Sequence, residues 1–278
     1  MIEMLDEAVR HRISECTEEV AKDFRLSVRP IYGSDDGILT TPIGSCLLLI
    51  VDEVKYVATA AHIVDEITTH SLHVAGPVGG QLVQIVGEIN STRAPPGGRR
   101  KDRWDFAFWP IPPEADAALG TVRYLDANDA SHNRVPTANR LYLAMGYPVS
   151  RNKKGVNKAL RKIKTVVRKY SGKVLQLPAL AAELGISGDD HFFLQFEKRS
   201  QDASGARVTT FNPVGLSGGA FVDLGNFASP GMYDAQRPCH GSLAGMLIEH
   251  HKKHGAIVAV KIQAILRGIR STAQRNGQ

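Results

Sequence analysis

From Leu26 to about Val260 the chain is written in short apolar runs broken by Gly, Pro, Asn and Asp, and this pattern confines it to a fold of many short strands. The runs include Ser45 to Val51, Tyr56 to Ala60, Gln81 to Ile85, Asp105 to Trp109, Leu141 to Met145, Phe192 to Phe196 and Leu243 to Ile248. Such a series favours a sandwich or barrel over a βαβ sheet. Only the two ends read as helix. Over residues 2–24, Leu5, Val9, Ile13, Cys16, Val20 and Phe24 recur at spacings of three and four. From Lys261 to Arg270, Ile262, Ile265, Leu266 and Ile269 form one apolar stripe. Ser91 to Arg103 and Gly225 to Gly241, with their Pro and Gly, are expected to be exposed loops. No internal repeat stands out.

A chain of 278 residues, 43% hydrophobic and 22% charged, can bury a sizeable core without a disulfide scaffold. Cys16, Cys46 and Cys239 are few, odd in number and far apart, so free thiols in a reducing compartment are expected. Residues 1–25 mix acids and bases, unlike a signal peptide, and no apolar run is long enough to span a membrane. The expectation is a soluble, cytoplasmic protein without membrane association. No Walker or Rossmann glycine pattern occurs, and the histidines near Cys239 (His240, His250, His251, His254) lack a C-x-x-C or H-E-x-x-H frame. Lys252 and Lys253 make that stretch a solvated hairpin tip, so neither cofactor nor metal is expected.

Three pieces carry chemistry. In Tyr56-Val-Ala-Thr-Ala-Ala-His62 a strand delivers a histidine at its end. In Trp104-Asp105-Phe-Ala-Phe-Trp109 an aspartate opens an apolar strand, which sets its carboxylate at the edge of a core. In Asn212-Pro-Val-Gly215-Leu-Ser217-Gly218-Gly219 a serine sits among glycines that allow tight turns. A serine hydroxyl needs an adjacent imidazole to take its proton, a carboxylate to orient that imidazole, and two N–H groups to meet the developing oxyanion. Gly215 and Ser217 are placed to supply those N–H groups. Asp102 is the other acid close by. Lys101 and Arg103 beside it suggest a solvated loop, which leaves Asp105 as the orienter.

These pieces, in the order His, Asp, Ser, resemble the signature blocks of trypsin-like serine peptidases of the chymotrypsin fold. Gly44-Ser-Cys46-Leu-Leu is similar to a Gly-Ser-Gly-Phe strand of the bacterial heat-shock branch, and Leu243-Ala-Gly-Met-Leu to the strand lining the substrate cleft. The resemblance covers roughly residues 26–270. It implies an all-β fold of two packed six-stranded Greek-key barrels within residues 26–278, meeting near residues 115–135, with helices at both ends and residues 1–25 as a separate helix. It further implies a serine endopeptidase working through an acyl-enzyme, with Ser217 as nucleophile, His62 as base and Asp105 as orienter. An extended peptide would lie beside Leu243–Glu249 as an added strand. Phe211 and Asn212 would lie near the base of the specificity pocket, and Glu249 and His250 near its rim.

The departures also matter. Leu216 stands where secreted trypsins carry the Asp that pairs with a new N-terminus, and Ile63 replaces the cysteine after the histidine. No appended peptide-binding domain is expected after the barrels. A cytoplasmic protease would then need narrow specificity or a partner protein that activates it, in stress response or defence. Between Arg151 and Lys173 ten cations run without an acid: Arg151, Lys153, Lys154, Lys158, Arg161, Lys162, Lys164, Arg168, Lys169 and Lys173. With only Tyr170 as an aromatic, the run suits a solvated face or an acidic partner better than nucleic acid. Two rival readings stay open: an inactive protease fold serving as a peptide-binding or assembly module, and a nucleic-acid-associated protein using residues 151–173.

Overall fold

The computed structural model describes residues 2–34, 40–77, 81–133, 137, 139–152, 156–157, 162–163, 165–202, 204–234 and 236–276. The first six main strands are β1 (Val28–Ser34), β2 (Thr40–Val51), β3 (Val54–Ala60), β4 (Ser71–Ala75), β5 (Leu82–Gln84) and β6 (Phe106–Pro110). They pair antiparallel in the order β5-β4-β1-β2-β3-β6, with the two-residue strand Asn90–Ser91 outside β6. The next six are β7 (Arg140–Gly146), β8 (Arg168–Gly172), β9 (His191–Gln195), β10 (Ala220–Asn226), β11 (Ser242–His251) and β12 (Ala256–Lys261). Their order is β8-β7-β10-β11-β12-β9.

Counted within its own half, each sheet follows one circular order, 1-2-3-6-5-4. This is the same Greek-key winding used twice. In the second half the ring closes where Val174, just past β8, bridges to Leu194 of β9. The repeat is one of topology, and the residues of the two halves do not share a pattern that would reveal it.

The burial of β2 explains its unbroken apolar run. Cys46 and Leu48 face the interior of the first barrel, while Leu47, Leu49 and Val51 face a larger core shared by both halves and both terminal helices. A strand covered on both faces has no polar alternation. The second barrel encloses its own interior around Tyr142, Phe192, Phe221 and Leu247.

The N-terminal helix, Ile2–Phe24, sets Cys16, Val20 and Phe24 into the shared core. Ion pairs from Asp23 to Arg123 (2.6 Å) and from Glu18 to Lys169 flank that contact. The helix packs on the barrels. The C-terminal helix runs from Ile262 to Asn276, past the expected Arg270, because its last turns are polar and carry no apolar stripe.

One expectation is corrected. Cys16 and Cys239 form a disulfide across 223 residues of sequence, and Cys46 alone is a free, buried thiol, its pKa pushed up to about 12 by burial. Disulfides persist in oxidising compartments, so the cysteines no longer argue for a reducing one. The Gly225–Gly241 loop is mostly exposed, as expected, but it is tied to the N-terminal helix. The buried Arg12 guanidinium donates to the carbonyls of Met232 (2.8 Å) and Arg237, and Cys239 ties the loop to the helix. Reduction, or Cys16→Ser, is expected to cost about 2–4 kcal/mol and to lower the melting temperature. Thermal unfolding with and without reductant checks this, and equal melting temperatures would refute it. No helix among the described residues is long and apolar enough to cross a membrane.

Candidate active site

β3 ends at Ala60, and the short helix Ala61–Val64 begins at once, so His62 emerges at the end of a buried strand. One carboxylate grips it twice. The His62 backbone N–H donates to Asp105 Oδ1 (2.9 Å), and the ring Nδ1 lies 2.7 Å from Oδ2. An ionised carboxylate only accepts, so Nδ1 carries the proton and the free lone pair sits on Nε2. Nε2 has no hydrogen-bond partner among the described residues, and 41% of the side chain is exposed.

Asp105 is buried and has φ +39°, a left-handed conformation that strains a non-glycine residue. Its carbonyl holds that shape by accepting the Ala61 N–H (3.0 Å). Burial pulls the His62 pKa down, but the hydrogen bond and charge of Asp105, helped by the more distant Glu249 and Asp65, outweigh it. The imidazole is left above its ordinary value.

The loop before Asp105 is braced against the same helix. Arg99 bonds Asp65 with Nε and Nη2 (2.8 and 2.9 Å) and bonds Asp102 and the Thr92 carbonyl with Nη1 (2.8 and 2.6 Å). The hydrogen bond to Arg99 holds the Asp65 carboxyl below its usual range. Asp102 also accepts from the Thr92 hydroxyl and the Trp104 N–H. Its side chain is only 4% exposed, which corrects the solvated-loop reading. Lys101 and Arg103 point out while Asp102 turns in. Asp105, not Asp102, holds the histidine.

Ser217 sits on the turn between Pro213 and β10. The amides of Leu216, Gly218 and Gly219 bond to the carbonyls of Pro213, Leu247 and Leu216, whereas those of Gly215 and Ser217 have no partner among the described residues. Those are the two amides expected to meet an oxyanion. The hydroxyl of Ser217 donates to the Ile248 carbonyl (2.9 Å) and makes no bond to His62.

The sequence reading missed what joins the two halves at this point. Ser45, fully buried in β2, donates its N–H to the Ser217 carbonyl (2.9 Å) and its hydroxyl to the Gly215 carbonyl (2.8 Å). It accepts the Tyr147 N–H at that hydroxyl (2.8 Å) and the Thr59 hydroxyl at its carbonyl (2.7 Å). Thr59 lies three residues before His62, so one polar chain runs from the histidine strand to the serine turn. The available signal was polarity: Ser45 and Thr59 interrupt otherwise apolar strands.

Of the expected pocket residues, the Phe211 ring packs edge-on against Phe196 (centroids 5.9 Å apart), and Phe196 packs against His250 (5.4 Å). Burial, with His251 and Lys252 nearby, lowers the His250 pKa. Asn212 is exposed and accepts the Val214 N–H (3.2 Å), which closes its own turn. The Glu249 carboxylate lies 3.0 Å from His251 Nε2. Leu243–Met246 cannot receive an added strand, because β10 pairs there on one side and β12 takes up β11 from Gly245 onward on the other. Past Leu247, the β10-facing side of β11 pairs with no strand among the described residues.

A solved structure, that of the serine endoprotease from Yersinia pestis, matches at a TM-score of 0.51, over 95% of this chain and 67% of that chain, with 15% sequence identity. The chain has a chymotrypsin-like double-barrel fold. At such identity the likeness concerns the fold alone, and the site rests on its own geometry. No protein-family model and no curated protein matches the sequence.

Of the basic run, Lys153, Lys154, Lys158, Arg161 and Lys164 lie outside the described residues. The base of that segment is pinned by the buried Asn152, which bonds the backbone of Pro148 and Val166.

Proposed function

We propose that the protein is a serine endopeptidase in which Ser217 attacks a peptide carbonyl, His62 takes its proton at Nε2, and Asp105 fixes the imidazole. The observation that carries this reading is the double grip of Asp105 on His62, which leaves a raised-pKa Nε2 free to accept a proton. Attack requires the Ser217 hydroxyl to swing from the Ile248 carbonyl toward His62. The unbonded amides of Gly215 and Ser217 then face the tetrahedral oxyanion. The proton passes from His62 to the leaving amine, and water later cleaves the acyl-enzyme by the same relay. An extended peptide would pair with β11 around Ile248–His250, with its side chain directed to the Phe211–Phe196–His250 aromatics. That pocket favours an apolar residue.

The bond from Ser217 to Ile248 also favours a second reading, a non-catalytic fold or one awaiting an activating partner. A fluorophosphonate probe separates the two. Peptidase chemistry predicts covalent labelling at Ser217, mapped by mass spectrometry and absent from Ser217→Ala. No labelling of the isolated chain would reject an autonomous peptidase. The labelling rate is expected to rise with pH as His62 loses its proton, with an inflection above the ordinary 6.5. Glu249→Gln removes a negative charge that favours the imidazolium, so it should move the inflection down. A rate flat from pH 5 to 9 would remove His62 as the base.

A further inference from the structure

A groove of about 530 Å³ lies between the N-terminal helix, β8 and the hairpin formed by Arg199–Gln201 and Arg207–Thr209, with Phe211 in its lining. Apart from Phe211, none of its lining residues takes part in the proposed peptidase chemistry. Its volume falls within the range of ligand sites.

Its charge is one-sided. Four cationic side chains line it (Arg10, Arg151, Arg168 and Lys169, the last paired with Glu18) against one lining carboxylate, Asp202. That carboxylate is spent on its own turn, where Oδ1 accepts from the Ser204 N–H and hydroxyl and the Ala206 N–H. Two buried polar atoms in the lining have no hydrogen-bond partner among the described residues: Arg168 Nε and Thr17 Oγ1, the latter on a residue only 8% exposed. Buried donors left unpaired are costly, and a bound acceptor removes that cost. Beside neutral polar residues such as Ser200, Gln201 and Thr209, the lining carries an apolar strip of Ile13, Tyr170, Phe211 and Val208, the last 37% exposed. A bare phosphate backbone has no use for such a floor. A chain that alternates carboxylates with apolar side chains satisfies both halves of the lining.

We propose that this groove docks an acidic, partly apolar segment of a partner protein. Carboxylates pair with Arg168 and Arg151, Thr17 donates its hydroxyl, and an apolar side chain rests on Val208 and Phe211. The inference does not depend on Ser217 being catalytic.

The test is fluorescence anisotropy on the full chain with a fluorescein-labelled octapeptide of alternating Glu and Leu, and its Gln/Leu twin. The Glu peptide should bind at least about tenfold more tightly, with affinity falling as salt rises. Arg168→Gln and Val208→Asp should each weaken it by about tenfold or more. Val208 is exposed, so that variant stays informative if Arg168→Gln fails to fold. Equal affinity for the two peptides, or unchanged affinity in Val208→Asp, would overturn the proposal. So would a single-stranded oligonucleotide that displaces the Glu peptide at lower concentration than unlabelled peptide does.

Discussion

Asp105→Asn is expected to slow fluorophosphonate labelling of Ser217 by about four orders of magnitude without unfolding the chain. The geometry dictates which way the new amide must face. The His62 backbone N–H donates to Oδ1, so an asparagine keeps its oxygen there and turns its NH2 toward Nδ1. Nδ1 must then accept, the ring proton moves to Nε2, and the imidazole can no longer take a proton from Ser217. His62→Ala, which removes the base itself, should cost up to about six orders. Labelling kinetics and thermal melts on the same preparations separate chemistry from folding. An Asp105→Asn rate within about tenfold of the parent chain would show that the carboxylate does not set the tautomer.

Gly218→Ala should destabilise the fold by roughly 2–5 kcal/mol, the combined cost of a left-handed backbone and a steric clash. Gly218 has φ +82°, and a Cβ there would stand 1.9 Å from the Ser45 carbonyl oxygen and 2.4 Å from the Thr59 hydroxyl. Neither is the tip of a flexible side chain. Relief would have to pull the serine turn away from β2, breaking the bond from Ser45 N–H to the Ser217 carbonyl. Gly188 meets nothing within 4 Å of a built Cβ, so Gly188→Ala is the matched control with little expected effect. Urea unfolding of both variants gives the comparison, and equal midpoints would mean that the contact between the halves is looser than the structure shows.

Much of the fold was legible because its signals are local. The helical spacing from Leu5 to Phe24 and the short apolar runs depend on residues a few positions apart, and both terminal patterns and the seven named runs fall on helices and strands, whereas β1, β4, β8, β10 and β12 were not singled out. His62 and Asp105 were also readable, since each sits at the edge of a strand whose apolar neighbours announce it. Strand ends were less so: β11 runs on to His251, through residues as polar as any loop.

The failures share a physical cause. Cys16 and Cys239 meet across 223 residues, and spacing cannot announce a pairing made by tertiary packing. Asp102 was misjudged because its neighbours are charged, yet Arg99, Thr92 and the Trp104 N–H supply enough bonds to bury its carboxylate. The double Greek key left no repeat in the sequence, because winding order constrains which strands touch and not which residues they carry.

A chain of short strands with a helix at each end, and a histidine, an aspartate and a glycine-flanked serine in that order, can be read from short stretches, since strand length, turn chemistry and residue type are written locally. Three features come from packing alone: Asp105 holds both the backbone N–H and the ring Nδ1 of His62, Ser45 ties the serine turn to the other half, and a disulfide pins the N-terminal helix. Each of these depends on where distant segments come to rest. That is set by packing summed over the whole chain, which is not visible in any short stretch of it.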